Sequence, residues 1–512
     1  MEDVGETKRW GRVVAMLAAL SGCVGHEQVV SPPSAAPTSH DVWIRDVTVV
    51  SPERSAPLAH AHVVLRDGRI LSVGTVPPAA PGATVVDGSG RFLVPGLIDG
   101  HVHLAEIPGV SHEAAVARPS LADAYFAQLP LSYLYFGFTT VVDLNVVDRA
   151  RVDAIRRAPL GPAVLDCGGG VPVANGYPMS FAPEPLRFAI YPNFLHDPAQ
   201  ASAIPPQFSP ADHTPRAAVA RVAASGGVCV KTFYEPGFGA LSGKLPVPSI
   251  ERLKEVVAES KVRGLPVLLH ANSVAAHRVA VAAGADVTAH GMWNWGKLDD
   301  APPEPLPDPI REVVDQEIKA GVGVMPTSRV ISGLEDLFGP FLDDPKLADV
   351  LPPGFVDGYR SADGQWFAAE MARDFDGAPR DRIRARLRLV GDRGRAAAKY
   401  FVEHGGRLFF GSDTPSAPTY ANPPGYNGYL EMRELERAGI KPRDIFVAAT
   451  STDAKLFGVL RDRGTVEAGK RADLLLLAAD PLASTAAFDT IETVFIGGRA
   501  VPRAELSARR TR

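Results

Sequence analysis

Residues 95–104 read PGLIDGHVHL, and this stretch guides the interpretation of the whole chain. A Pro-Gly pair leads into an apolar run that ends in His101-Val102-His103. Side chains alternate along a strand, so residues two positions apart point to the same face. Two imidazoles at one strand end can therefore bind a single metal ion. The stretch predicts a buried strand that ends in a metal-binding pair.

The chain contains a second His-x-His pair that serves as a comparison. His60-Ala61-His62 has the same spacing but precedes the turn signal Asp67-Gly68 in a region of short alternating strands. We predict that His60 and His62 are surface or packing residues and bind no metal.

Four more polar residues follow apolar runs further along the chain. They are Lys231 in GGVCVKTFYE, His270 in LPVLLHAN, His290 in GADVTAHG and Asp413 in RLFFGSDT. Each of the four lies at the carboxyl end of an apolar run, where barrel enzymes place their active sites. With the His101 pair, five strand ends in order carry a candidate metal ligand.

The middle of the chain alternates apolar strands with amphipathic helical stretches, as βα repeats do. Eight strand candidates lie near residues 93–102, 138–144, 162–167, 226–232, 265–270, 285–290, 321–326 and 407–412. Eight such units predict an α/β fold with a closed (β/α)8 TIM barrel. Two long insertions, 171–214 and 327–395, would follow strands three and seven.

Both ends of the chain are rich in short strands. Strand patterns at 42–50, 61–66 and 69–73 resemble those at 473–478 and 491–496, the last of which precedes the hairpin signal Gly497-Gly498. We predict a small β-sandwich built from both ends. The predicted boundaries are 1–22 signal peptide, 23–41 tether, 42–94 and 458–502 sandwich, 95–457 barrel and 503–512 tail.

Composition excludes several classes of function. The 512 residues carry a formal net charge of −5, which gives no basic field for nucleic acid. The sequence contains no run of 18 or more consecutive apolar residues, so it predicts no membrane-spanning helix. The three cysteines show no Cys-x-x-Cys pattern, which excludes a cysteine-based zinc site and argues against a disulfide scaffold. We predict that Cys167 and Cys229 are small buried hydrophobic residues.

The first residues have the pattern of a processing signal. Basic residues at 8, 9 and 12 precede a short apolar run over 13–20, and Leu20-Ser21-Gly22-Cys23 resembles the lipobox of bacterial lipoproteins. We predict lipidation of Cys23 and a location in the bacterial cell envelope, facing the periplasm. An ordinary secretory signal is the alternative.

The order of the candidate ligands resembles that of the amidohydrolase superfamily. Members carry His-x-His after strand one, Lys after strand four, His after strands five and six, and Asp after strand eight. The segment 464–482, GTVEAGKRADLLLLAADPL, is similar to the imidazolonepropionase-like and dihydroorotase-like branches. The resemblance covers residues 42 to about 502.

The resemblance implies a binuclear metal site. A lysine after strand four is carboxylated by carbon dioxide in such members and bridges two divalent ions. By this analogy His101, His103 and Asp413 bind one ion, the histidines after strands five and six bind the second, and carboxylated Lys231 bridges them. Nitrogen and oxygen ligands suit zinc, with manganese or cobalt as alternatives.

The same resemblance implies hydrolysis by a metal-bridged hydroxide. Asp413 would accept the proton of the water and deliver it to the leaving group. Tyr234, three residues after Lys231, is a candidate partner for the substrate carbonyl or carboxylate, with simple packing as the alternative.

The implied substrate is a small molecule with an amide bond, a dipeptide or an N-acyl amino acid as in prolidase-like members. A lactonase or phosphotriesterase-like esterase is a second reading. A non-catalytic scaffold is a remote third, because all six ligands are present. Membrane contact would come only through the N-terminal lipid, and a homo-oligomer remains open.

Overall fold

The computed structural model describes residues 41–238, 241–416 and 418–510, without the side chains of residues 112 and 113. The predicted signal peptide, Cys23 and the tether up to residue 40 lie outside the described residues. Within the described part, no helix has the length and apolar character needed to cross a membrane.

Strands and helices are numbered here in chain order. The strands are β1 Val42–Val49, β2 Leu58–Arg66, β3 Arg69–Gly74, β4 Thr84–Asp87, β5 Phe92–Pro95, β6 Leu97–Val102, β7 Phe138–Asp143, β8 Ala163–Asp166, β9 Val230–Phe233, β10 Val267–His270, β11 Val287–Ala289, β12 Gly323–Met325, β13 Leu474–Leu477, β14 Ile491–Ile496 and β15 Arg499–Pro502. The α-helices are α1 His112–Ala117, α2 Pro119–Tyr135, α3 Arg149–Arg156, α4 Arg187–Ile190, α5 Pro215–Ala224, α6 Ile250–Val262, α7 Val274–Ala283, α8 Asp308–Ala320, α9 Ser328–Asp336, α10 Leu347–Val350, α11 Phe355–Arg360, α12 Trp366–Asp374, α13 Arg380–Glu403, α14 Tyr426–Arg437, α15 Pro442–Val447 and α16 Asp453–Leu456.

Strands from both chain ends form one sheet. Its order is β15-β14-β13-β5-β1-β2-β3, and β4 pairs with β1. Ile44 and Val47 of β1 are fully buried in a cluster that also contains Leu474 and Phe495 from the other end of the chain. The sequence patterns predicted this joining of the two ends, whereas a sandwich of two sheets stays a prediction.

The middle of the chain is a mixed α/β structure with two parallel sheets. One has the order β6-β7-β8 and the other β12-β11-β10-β9. Helices α5 to α8 alternate with β9 to β12, so the predicted βα repeats are present in this part of the chain. The first predicted insertion follows β8 and contains α4, and the second follows β12 and contains α9 to α13.

The predicted eighth strand, 407–412, is not a regular strand. The segment still bonds to two parallel strands. On the β12 side, the N–H of Val324 donates to the carbonyl of Arg407 at 3.1 Å. On the β6 side, the N–H of Gly100 donates to the carbonyl of Phe410 at 3.1 Å. A closed barrel therefore stays a prediction, although this segment has strand partners on both sides.

The prediction that Cys167 and Cys229 are merely buried hydrophobic residues is corrected by the structure. Both are fully buried, and they form a disulfide that joins residues 62 positions apart. Cys167 directly follows β8, and next to it the N–H of Val228 donates to the carbonyl of Asp166 at 2.8 Å. The sequence spacing carried no sign of this pairing, because it depends on the end of β8 meeting the residues before β9.

The predicted C-terminal tail begins as ordered structure. Residues Arg503–Leu506 form a 3-10 turn, and the Nε of Arg503 donates to the carbonyl of Tyr135 at 2.8 Å. Leu506 is fully buried, so this part of the tail packs onto the body of the protein.

Candidate metal centre

Two of the six predicted ligands, His101 and His103, converge on the carboxylate of a third, Asp413, and a fourth, Lys231, lies beside His101. Nε2 of His103 lies 2.8 Å and Nε2 of His101 lies 3.0 Å from Oδ1 of Asp413. Nζ of Lys231 lies 3.4 Å from Nε2 of His101. Apart from His103, whose side chain is 19% exposed, these groups are buried.

The two remaining predicted ligands face each other beside this cluster. Nδ1 of His270 lies 2.8 Å from Nε2 of His290. The other nitrogen of His290, Nδ1, lies 2.8 Å from Oγ1 of Thr327 and 3.8 Å from Oδ2 of Asp413. The structure thus brings all six predicted side chains together, and both ring nitrogens of His290 face other candidate ligands.

The strands explain why these side chains meet. His270 is the last residue of β10 and His290 follows the end of β11, which pairs with β10 in parallel. Lys231 lies within β9, opposite Leu268 of β10. The carboxyl ends of neighbouring parallel strands lie at the same edge of the sheet, so the side chains at these strand ends lie close together.

Asp413 reaches the centre through an unusual backbone. Its φ is 55°, a left-handed conformation that a non-glycine residue adopts at some cost in free energy. Its N–H donates to the carbonyl of His101 at 2.7 Å, and Asn427 donates to the neighbouring carbonyl of Ser412 at 3.0 Å. These bonds hold the Asp413 carboxylate against the two histidines.

Burial and charge set the protonation of the cluster. Burial and the nearby Lys231 lower the pKa of His101 to about 3. Burial also disfavours charge on His103, but the hydrogen bond to Asp413 and the negative charges of Asp413 and other nearby carboxylates together outweigh this and raise the pKa to about 9. Burial lowers the pKa of Lys231 to about 7. Burial opposes ionisation of Asp413, yet His101 and the other histidines hold its pKa well below the ordinary value.

Glu235 is a residue of this site that the sequence analysis missed. Its Oε1 accepts the N–H of Gly237 at 2.7 Å. Its Oε2 is buried and lies 3.6 Å from Nε2 of His270, which is also buried, and neither atom has a hydrogen-bond partner among the described residues. Period-two alternation from Lys231 would have placed Glu235 on the side of the metal ligands.

The side chain of Tyr234, the predicted catalytic tyrosine, is not among these groups, although its N–H donates to the carbonyl of His270 at 3.0 Å. Its ring packs against an apolar cluster that contains Leu253 and Leu269. The same alternation explains this position, because residue 234 points away from the face that carries Lys231. The tyrosine beside the histidines is Tyr177, whose ring centroid lies 4.5 Å from that of His270.

The comparison pair lies away from the centre. His60 and His62 belong to β2 of the terminal sheet. The side chain of His60 is 86% exposed, and its Nδ1 lies 2.8 Å from Oδ1 of Asp46. The ring of His62 packs edge-on against Trp43. Both positions agree with the surface and packing roles expected from the sequence.

The donor set fits divalent metal ions. His101, His290 and Asp413 present ligand atoms that all lie within 4.8 Å of one another. The facing nitrogens of His270 and His290 lie 2.8 Å apart, where one ring can donate its N–H to the other, and both are also nitrogen atoms of the kind that bind divalent ions. Nitrogen and carboxylate donors at bond lengths of about 2.0–2.2 Å are typical of zinc and similar ions.

Buried imidazole, carboxylate and amine donors beside parallel strand ends define the class of metal-dependent hydrolases. A match to the Amidohydrolase family covers residues 92–501, which include all six side chains. The chain belongs to this family. The family generally binds divalent metal ions.

Curated relatives match only parts of the chain. Adenine deaminase of Moorella thermoacetica is 49% identical over 133 residues, 25% of this chain and 21% of that protein. Dihydroorotase of Citrifermentans bemidjiense is 35% identical over 84 residues, 16% of this chain and 19% of that protein. The chain thus matches about a fifth of the length of each of these two proteins.

Solved structures share the fold over nearly the whole chain. A Xaa-Pro dipeptidase with bound methionine has a TM-score of 0.62 at 20% identity, covering 90% of this chain and 100% of that one. A putative prolidase from Bifidobacterium longum has a TM-score of 0.58 at 23% identity, covering 90% and 94%. The A. niger ochratoxinase has a TM-score of 0.62 at 19% identity, covering 91% and 96%.

Proposed function

We propose that the protein is a metal-dependent amidohydrolase that cleaves the amide bond of a dipeptide or an N-acyl amino acid. The observation that carries the proposal is the buried cluster in which Lys231 lies 3.4 Å from His101, beside Asp413. The fold shared with a Xaa-Pro dipeptidase and a putative prolidase supports the substrate class.

We propose a binuclear site with zinc as the ion, or manganese or cobalt. His101, His103 and Asp413 would hold one ion, and His270 and His290 the other. Such a pair, when bound, supplies Lewis-acid activation of water and of the substrate carbonyl.

Lys231 would bridge the two ions as a carbamate. A protonated amine has no lone pair for a metal, and a buried ammonium is costly without a partner. Addition of carbon dioxide to the neutral amine would form the N–C bond of a carbamate and release one proton, and the charge of its anionic oxygens would be compensated by the two bound cations. The full burial of Lys231 beside His101 supports this role.

Asp413 would move the proton. Its carboxylate oxygen Oδ1 contacts both His101 and His103, and its second oxygen lies 3.8 Å from His290. A carboxylate held at the centre of the ligand cluster is in position to take a proton from the attacking water and return it to the leaving nitrogen.

We also propose that the parallel strands close into a (β/α)8 barrel. Segment 407–414 has hydrogen-bond partners in both β12 and β6. Between β8 and β9, the N–H of Val228 donates to Asp166 and the N–H of Val171 donates to Lys231, both at 2.8 Å. The terminal sheet would fold back on itself to form the sandwich. In support of this, the N–H of Ile70 in β3 donates to the carbonyl of Lys470, which precedes β13, at 2.8 Å.

We place the protein in the bacterial envelope. Disulfides form and persist in oxidising compartments such as the periplasm, and the Cys167–Cys229 bond fits such a location. The substrate would be a small molecule, and nucleic acid is not expected as a partner.

The test of the activity is a substrate panel on metal-loaded protein. Dipeptides, N-acyl amino acids, lactones and phosphotriesters are offered, and we expect turnover of the first two groups. His101→Ala should abolish it, whereas His60→Ala, the matched change in the comparison pair, should not. Turnover of lactones or phosphotriesters alone would identify an esterase, and no turnover of any group with two ions bound would favour a scaffold.

A further inference from the structure

Four aromatic side chains form a continuous surface beside a candidate metal ligand. The ring centroid of Tyr177 lies 4.5 Å from that of His270. Around Tyr177, the centroids of Phe238, Phe181 and Phe233 lie at 5.6, 5.7 and 5.9 Å. We call Tyr177, Phe181, Phe233 and Phe238 the aromatic wall. Because Tyr177 contacts His270, the wall borders the metal centre.

The wall is buried at its base and exposed at its outer end. Phe233 is 4% exposed, whereas Phe181 is 57% and Phe238 is 44% exposed. Phe238 is itself within ring-contact range of His270, at 6.5 Å between centroids. Apolar surface left in water costs about 25 cal/mol per Å², which a bound apolar group would recover. The exposed rings thus lead from solvent to the metal centre.

Two glycines fix the segments that carry the wall. Gly237, directly before Phe238, has a φ of 114°, and a Cβ there would collide with the carbonyl of Leu241. The N–H of Leu241 donates to the carbonyl of Phe238 at 2.8 Å. At Gly176, directly before Tyr177, a Cβ would lie 2.6 Å from the carbonyl of Pro246. The backbone is therefore closely packed directly before Phe238 and directly before Tyr177. This packing restricts the positions of the two rings.

We propose that the aromatic wall is a specificity subsite for an aromatic or bulky apolar group next to the scissile amide. The inference rests on the proposed amidohydrolase function and narrows its substrate class. A phenyl group can lie against the faces and edges of these rings, and aromatic pairs at such centroid distances gain more than area burial alone gives. A methyl group or a hydrogen atom reaches too little of the wall to gain from it.

Matched substrate pairs test the subsite. N-phenylacetylglycine is compared with N-acetylglycine for the acyl side, and N-acetylphenylalanine with N-acetylglycine for the amine side. We expect the wild type to prefer the aromatic member of at least one pair by about tenfold or more in kcat/KM. Phe238→Ala and Phe181→Ala should each reduce that preference several-fold, mainly through KM, without loss of metal.

The controls separate a binding role from a folding role. Leu71→Ala, an exposed apolar residue of β3 in the terminal sheet, should leave the preference unchanged. Phe238→Leu and Phe181→Leu keep apolar bulk and should retain part of the preference. Melting temperature and metal content are measured for every variant. A preference below twofold in the wild type, or one that survives both alanine changes, overturns the subsite.

A binding measurement distinguishes failure of the subsite from failure of the activity. Calorimetric titration of metal-loaded protein with phenylacetamide and with acetamide needs no hydrolysis. Phe238-dependent binding of phenylacetamide without turnover of any amide supports the subsite and overturns the proposed function. Turnover of all amides without an aromatic preference supports the proposed function and overturns the subsite.

Discussion

Oε2 of Glu235 lies 3.6 Å from Nε2 of His270, while the other ring nitrogen of His270 faces His290 at 2.8 Å. The two nitrogens of the imidazole ring thus have different neighbours, because Nε2 lies near the Glu235 carboxylate and Nδ1 lies near His290. Where a carboxylate behind a ligating histidine accepts its N–H, it fixes the tautomer and makes the ligating nitrogen more basic, and even without that bond its negative charge favours the bound cation. On the opposite side of the pair, Thr327 lies 2.8 Å from Nδ1 of His290.

Glu235→Gln should weaken binding of the ion held by His270 and His290. Loss of the carboxylate charge behind a ligand typically costs about 10–100-fold in metal affinity. Chelator competition, followed by elemental analysis, measures the affinity at each site. We expect one ion to become easier to remove while the other is retained.

A second buried carboxylate–histidine pair provides the control. Oε1 of Glu317 lies 2.7 Å from Nδ1 of His277, and both residues are fully buried. Glu317→Gln makes the same chemical change away from the proposed ligands and should leave both metal affinities unchanged. Equal losses of metal in the two variants would mean that the effect is general destabilisation.

Lys231→Met should remove metal without harming the metal-free fold. The methionine side chain has nearly the length of lysine, and it avoids the cost of burying an amine in apolar surroundings. We expect elemental analysis to drop from two ions per chain to one or none, and the melting temperature of chelated protein to stay equal or rise. Retention of two ions with full activity would contradict the binuclear proposal.

Reduction of the disulfide should destabilise the protein. Cross-linking residues 62 positions apart lowers the entropy of the unfolded chain and stabilises the fold by about 4 kcal/mol in the loop-entropy treatment. Cys167→Ala/Cys229→Ala should therefore unfold at lower denaturant concentration than the oxidised wild type. Denaturation curves measured with and without reductant check this prediction. The double variant has no Cys167–Cys229 bond, so reductant should leave its curve unchanged. Identical curves for oxidised and reduced wild type would exclude a stabilising bond.

His213 should make stability depend on pH in the acidic range. Its ring is buried and stacks on Phe194 with centroids 3.8 Å apart. Burial lowers the pKa of His213 and outweighs the hydrogen bond to the carbonyl of Phe194. A base with a lowered folded-state pKa contributes stability that is present above its unfolded pKa of about 6.5 and is lost as pH falls below it.

The measurement compares melting temperatures at pH 7.5 and 5.5. His213→Phe keeps a ring against Phe194 but cannot be protonated, so its melting temperature should fall less between these pH values than that of the wild type. The two proteins differ only at residue 213, so the difference between their pH dependences reports on this side chain. The same decrease in both would show that His213 does not contribute.

Cys23 should become the lipidated N-terminus of the mature protein. An apolar run of about eight residues is too short to span a bilayer, which takes about 20, so attachment must come from acyl chains. Mass spectrometry of the N-terminus and membrane fractionation should find a lipidated wild type and a released Cys23→Ser. Cytoplasmic wild-type protein with residues 1–22 intact would exclude this prediction.

The convergence of the six candidate ligands was predictable because their positions depend largely on local pattern. Short apolar runs specify the buried strands. The alternation of side chains along a strand then specifies which residues near its end lie on the same face. His101, His103, His270 and His290 were identified as candidates from these rules together with the order of ligands that the amidohydrolase superfamily shows. Asp413 was also found, although its segment is not a regular strand and holds its place through bonds to β6 and β12.

By itself the sequence determined the order of the ligands, the α/β pattern and the joining of both chain ends. Only the tertiary structure decided that Cys167 pairs with Cys229, that the ring of Tyr177 rather than that of Tyr234 lies against the ring of His270, and that exposed phenylalanines continue that surface. These contacts join segments far apart in the chain. Their partners are selected by packing between loops, and no periodicity in one segment encodes which distant segment it will meet.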